Sequence, residues 1–170
     1  MKLVKHPNKI LDQELKEVDL ENPGFDPVAL KKEMVDHMVK NGGIGIAANQ
    51  LGLDMKVFVM GDSAENSTMC INPTVVQFTG ETVTDLEGCL SFPDVFVNIN
   101  RPTEILAQYW DEHLTEQVVK IEGYSAKCYL HELDHVLGIT LKNRVSSTKW
   151  NIAKRKTKKL LSRIKKQNGH

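Results

Sequence analysis

The chain has 170 residues, 41% apolar and 26% charged, with 22 Lys and Arg balanced by 22 Asp and Glu. That length suggests one domain with room for a core, and the composition lies near the globular average. No apolar run approaches the roughly 18 residues of a membrane span, and Met1–Pro7 has neither a long apolar stretch nor a small-residue cleavage site, so neither a membrane anchor nor a secretory signal is expected.

Three cysteines, Cys70, Cys89 and Cys128, cannot all pair with one another. Without an export signal, a reducing cytoplasm and free or metal-bound thiols are the better reading. The neutral balance hides an asymmetry. From Lys149 onward there are nine Lys and Arg and no acid, which leaves 13 basic against 22 acidic residues in the rest of the chain. An acidic body with a basic tail points to a polyanionic partner for the tail, or else to a solvated helix that aids solubility.

After an irregular start, Asn22-Pro23-Gly24 marks a turn. Asp26-Pro27 reads as a helix N-cap followed by proline at the first helical position. Leu30, Met34 and Met38 repeat every four residues, and Asn41-Gly42-Gly43 ends the helix. The segment Gly43–Gly52 is dominated by small residues, so the backbone there can approach something closely. It lacks the third glycine of a dinucleotide loop and the Gly-Lys-Ser/Thr of a P-loop, which sets nucleotide binding aside. Gln50 in this segment could donate to a bound carbonyl or pair with backbone.

Strand-like runs follow at 56–60, 69–71, 74–76, 96–99, 104–110 and 117–121, the last two joined by a hairpin turn at Asp111-Glu112-His113. A helix at 125–138 comes next, and a terminal helical tail with apolar points at Ile152, Leu160, Leu161 and Ile164. The expected fold is α+β: antiparallel strands packed around one central helix, with an N-terminal and a C-terminal helix. Residues 1–147 form the expected catalytic body and 148–170 the basic tail.

The central helix carries His131-Glu132-x-x-His135. Residues i and i+4 share a helix face, which puts the two imidazoles about 6 Å apart at their roots, a spacing suited to one divalent metal. Glu132 lies beside them, placed to handle the proton of an attacking water. Ala126, Leu130, Leu133 and Leu137 form the opposite, buried stripe.

A catalytic site of this kind usually has three protein ligands. Beyond His135 there is no Asp or Glu, and the only histidine is His170. The third ligand must come from upstream. Cys128 has its root about 10 Å along the helix axis from that of His135, too far for a short side chain. Cys70 sits in an apolar strand and reads as core. Cys89, framed by Gly88 and a strand-end turn, is the chosen third ligand.

Three ordered segments, Gly43–Gln50, Glu87-Gly88-Cys89-Leu90-Ser91 and His131–His135, together resemble the peptide deformylases of compact bacterial type. One departure is Leu130, where that family usually has Gln before the first histidine; altered packing is expected there. The resemblance implies removal of the formyl group from N-formyl-methionyl peptides with release of formate. It implies Glu132 as proton shuttle, and the Gln50 amide with the Leu90 N–H as oxyanion donors. Ferrous iron is the implied native ion, with zinc, nickel or cobalt able to occupy the site. Ile44 and Gly45 resemble the segment that pairs with the peptide backbone. Tyr124 and Cys128 line the methionine pocket or pack in the core. Asp134 orients a partner, with Arg101 the candidate, or is a surface residue. The basic tail is implied to dock on the ribosome, and a monomer is expected. A zinc endopeptidase is the alternative enzyme. A non-catalytic RNA-binding module with a structural metal is a further reading, but no fourth ligand presents itself for it.

Overall fold

A computed structural model describes residues 1–167, with the side chains of the last helix described as far as Lys159 and at Ser162. The expected apolar points at Leu160, Leu161 and Ile164 lie outside the described side chains. Helix α1 spans Pro27–Lys40. Asp26 caps it, its carboxylate accepting from the backbone N–H groups of Val28 at 3.0 Å and Ala29 at 3.1 Å. Met34, Val35 and Met38 carry its buried face.

The strands are β1 (Gly45–Ala47), β2 (Val57–Gly61), β3 (Ser67–Cys89), β4 (Phe92–Trp110) and β5 (Glu116–Glu122). They form one antiparallel sheet in the order β1-β2-β3-β4-β5. The expected breaks at Asn72-Pro73 and around Pro102 do not occur. Both prolines fall within continuous strands, and β3 and β4 form one long hairpin closed at Cys89 and Phe92. Register shifts, the first between Ile71 and Thr74, absorb the irregular residues. Asn72 takes φ 48°, and its side chain pairs with both backbone groups of Val18, at 2.8 and 2.9 Å. The proline that looked like a strand end is thus a bulge pinned from outside the sheet.

Helix α2 (Gly123–Val136) packs across the sheet, and α3 (Ser147–Gln167) closes the chain. On α2 the buried face is Ala126, Tyr129, Leu130, Leu133 and Val136. Leu137 does not join it: the helix ends at Val136, and Leu137 at the C-cap is 40% exposed. Tyr129 meets Phe58 edge-on, with centroids 5.1 Å apart, and its hydroxyl donates to the Thr74 carbonyl at 2.8 Å, so one residue ties helix to sheet through both apolar and polar contacts. Leu130 is buried in the same core.

A second, smaller cluster joins Phe92, Val97 and Ile99 of β4 to Leu141 and Trp150. Trp150 stands edge-on to Phe92 at 5.4 Å, anchoring the start of α3 on the hairpin. Among the described residues no helix is long and apolar enough to cross a membrane.

Candidate active site

The hairpin end and helix α2 bring Cys89, His131 and His135 together, with their potential ligand atoms all within 4.8 Å of one another. Cys89 Sγ lies 3.1 Å from His135 Nε2. One thiolate and two imidazoles suit a borderline-soft divalent ion such as Zn2+ or Fe2+. Cys128 is not part of this group. It is buried, with its thiol donating to the Ile44 carbonyl at 3.4 Å, and Cys70 is fully buried in the core.

Cys89 and His131 hold each other in a charged state. Burial pushes the Cys89 thiol up, but the charge on His135 and hydrogen bonds to both imidazoles outweigh it and bring it down to about 5. Burial works the other way on His131, and hydrogen bonds to Cys89 and Glu87 raise it to about 10. An incoming metal would displace the His131 proton. In metal-free protein the Cys89 thiolate should therefore persist down to about pH 5. Its alkylation by iodoacetamide, followed by mass spectrometry, is expected to hold its rate between pH 8 and 6. Burial pushes the Cys70 and Cys128 thiols up, so those sites should stay unmodified. A Cys89 rate falling tenfold per pH unit from pH 8 downward would show that the imidazoles do not hold the thiolate.

Glu132 projects from α2 beside this group. It is 4% exposed, and among the described residues its Oε2 has no hydrogen-bond partner. Burial raises its carboxyl to about 7, against the pull of the neighbouring histidines. Gly45 leaves room for it: a Cβ at Gly45 would sit 2.4 Å from Glu132 Oε1 and 2.9 Å from Cys128 Sγ. The small residues of the 43–52 segment thus let β1 approach a carboxylate.

Gln50 is fixed from two sides. Its Oε1 accepts from the Ala47 N–H at 2.9 Å. Its Nε2 donates to Ser91 Oγ at 3.1 Å and reaches Cys89 Sγ at 3.5 Å. Ser91 in turn donates to the Val4 carbonyl at 2.8 Å, and the Val4 N–H donates to the Gln50 carbonyl at 2.7 Å. The N-terminal residues, irregular in sequence, thereby clamp two elements of the site.

Behind His131 lies an ionic relay that the sequence reading largely missed. His131 Nδ1 is 3.0 Å from Glu87 Oε2. Arg101 grips Glu87 through Nε at 2.6 Å and Nη2 at 3.0 Å, and reaches Asp134 at 3.0 Å through Nη1. Arg144 holds Asp134 from the far side, with Nε at 2.8 Å. Asp134 does meet Arg101, and it is buried rather than on the surface. Glu87 fixes the orientation of the His131 imidazole, as partners of metal-bound histidines generally do. Its only sequence signal was its place in the Glu-Gly-Cys-Leu-Ser motif; Arg144 had none.

A cleft of about 600 Å³ opens onto Glu132 and His131. Ile44, Gly45, Gln50, Leu90, Tyr124 and Cys128, all singled out from the sequence, line it. Lys127, Leu86 and Phe96 also line it and were not anticipated.

A family model described as polypeptide deformylase matches residues 1–151. A peptide deformylase of Fusobacterium nucleatum is 34% identical over 166 residues, covering 98% of this chain and 93% of the relative. Among solved structures, a peptide deformylase from Legionella pneumophila superposes with a TM-score of 0.84 at 26% identity, covering 96% of each chain. One from Synechococcus elongatus, in complex with actinonin, gives 0.83 at 29% identity over 92% of this chain and 85% of that one. With the motifs, the sheet-and-helix architecture and these likenesses running nearly end to end, the chain belongs to the peptide deformylase family.

Proposed function

We propose that the cleft performs the family's reaction, hydrolysis of the formyl amide of N-formyl-methionyl peptides to formate and a free amine, with Cys89, His131 and His135 holding one divalent ion. The observation that carries this reading is the convergence of that donor group with the buried Glu132 carboxylate, whose Oε2 has no partner among the described residues, at the end of an open cleft. When bound, the ion supplies Lewis acidity that makes water a nucleophile at neutral pH. Ferrous iron is the native ion proposed, on the family resemblance, with zinc, nickel or cobalt able to replace it.

Glu132 takes the proton of the attacking water and returns one to the leaving amine. The Gln50 amide and the Leu90 N–H donate to the oxyanion; losing one such donor typically costs about 3 kcal/mol. β1 is an edge strand, paired on one side by β2. An extended peptide adds to its Ile44–Gly45 end, while Tyr124 and Cys128 face the first side chain.

The test is formate release from formyl-Met-Ala by metal-loaded protein, compared with cleavage of an unformylated peptide. Internal cleavage without formate release would replace this reading with an endopeptidase. That alternative finds no acidic ligand after His135.

The exposed Lys154, Arg155 and Lys158 of α3 border a shallow groove with Thr148 and Asn151. This acid-free face suits the phosphate backbone of ribosomal RNA, on a monomer acting beside the nascent chain in the cytoplasm. Reversing the three charges to Glu should weaken co-sedimentation with ribosomes, most at low salt. Unchanged co-sedimentation would remove the docking proposal. Because Trp150 is untouched, the anchor of the helix is kept.

A further inference from the structure

The cleft-facing stripe of α2 does not stop at His131. One turn toward the helix N-terminus it presents Lys127 and Cys128, and one turn further Tyr124, at spacings of three and four residues. Cys128 and Lys127 both line the cleft on the same stripe as His131.

Lys127 is a built feature. Its side chain is only 16% exposed. Its ammonium pairs with Asp85 Oδ2 on β3 at 3.0 Å and stands 4.9 Å from the centre of the Tyr124 ring. Tyr124 is 65% exposed, so the ring is set at the cleft wall rather than in the core. The four-carbon stem of a lysine held this way offers apolar surface to an unbranched side chain, while the ammonium ends that surface in a donor. Three N–H groups cannot all be spent on one carboxylate contact and one ring face.

We propose that Lys127, positioned by Asp85 and Tyr124, is a specificity-determining residue that ends the first-residue pocket in a hydrogen-bond donor, so that the enzyme also accepts N-formyl peptides whose first side chain has the length of methionine and ends in a strong acceptor, such as methionine sulfoxide. This rests on the deformylase reading above. The reaction itself is unchanged: only the far end of the first side chain differs, and no atom of it is transferred.

The experiment compares kcat/KM for formate release from formyl-Met-Ala, formyl-methionine sulfoxide-Ala and formyl-norleucyl-Ala, the last having methionine's length and no acceptor. The unmodified enzyme should process the sulfoxide peptide within about tenfold of the methionine peptide. Lys127→Met, close in length and without charge, should lower the sulfoxide-to-methionine ratio about tenfold or more, the expected scale for losing a charged donor. The norleucine-to-methionine ratio should not fall with it. Asp85→Asn removes one of the two holds that position the ammonium and should likewise lower the sulfoxide ratio, which keeps the test alive if Lys127→Met does not fold. A sulfoxide ratio unchanged in Lys127→Met, or unchanged in Asp85→Asn where that variant stands alone, overturns the proposal. Formate release from none of the three peptides would instead overturn the deformylase reading itself.

Discussion

Replacing Glu132 with Gln should lower formate release from formyl-Met-Ala by about 10³-fold while leaving metal content at the level of the unmodified protein. The two parts of that expectation have separate origins. Glu132 is not among the three clustered donors, so its loss should not empty the metal site. Its carboxyl is buried, with one oxygen lacking a partner among the described residues, and burial has already raised it to about 7. A group in that state can take and return a proton at neutral pH, whereas a glutamine of the same shape can do neither. Formate release and metal analysis on the same preparation make the measurement. A variant with normal metal content and more than a tenth of the original rate would remove Glu132 from the proton-transfer role.

The second large effect falls on stability. Arg101 is 5% exposed and stands between two buried carboxylates, Glu87 and Asp134. Arg101→Met keeps most of the volume and removes the charge. Breaking a buried pair from one side typically costs about 3–5 kcal/mol, because the charges left behind have no water to turn to. Arg144 still holds Asp134, so the penalty should centre on Glu87. The pH dependence gives a finer reading. Burial pushes Glu87 up, but His131 and Arg101 outweigh it and bring the carboxyl from 4.5 to about 2. A depressed folded-state value means stability that is present above pH 4.5 and lost as pH falls toward 2. Denaturant unfolding at a series of pH values should show that acid-side loss in the parent and a flatter profile in Arg101→Met. Equal midpoints at pH 7 would show that Glu87 is not sustained by Arg101.

The parts of the molecule legible in its sequence are those in which chemistry is compressed into a few neighbouring residues. His131 and His135 share a face because a helix repeats every 3.6 residues, and Cys89 stood out once every acidic ligand downstream was missing. The N-cap at Asp26 was legible for the same reason. The long hairpin was not, because Asn72-Pro73 carries a local breaker signal, and the bulge that accommodates it depends on Val18, 54 residues away. Apart from the Asp134–Arg101 pairing, the relay behind His131 was hidden in the same manner. Glu87, Arg101 and Asp134 are ordinary charged residues until β3, β4 and α2 bring them into one buried row, which the exposed Arg144, beyond α2, closes from outside. Leu137 was misassigned to the core because periodicity cannot tell that the helix stops one residue earlier, before Gly138 at φ 71°.

The tight approach at Gly45 also bears on how this enzyme could change under drug pressure. Any side chain at that position would collide with Glu132, the group assigned to proton transfer. An inhibitor that drew its affinity from the main chain of residue 45 and from the clustered thiolate and imidazoles would rest on places where the protein has little freedom to mutate away. Escape would have to come from Lys127, Tyr124 or Phe96 on the cleft wall, where side chains can be exchanged without disturbing the reacting groups.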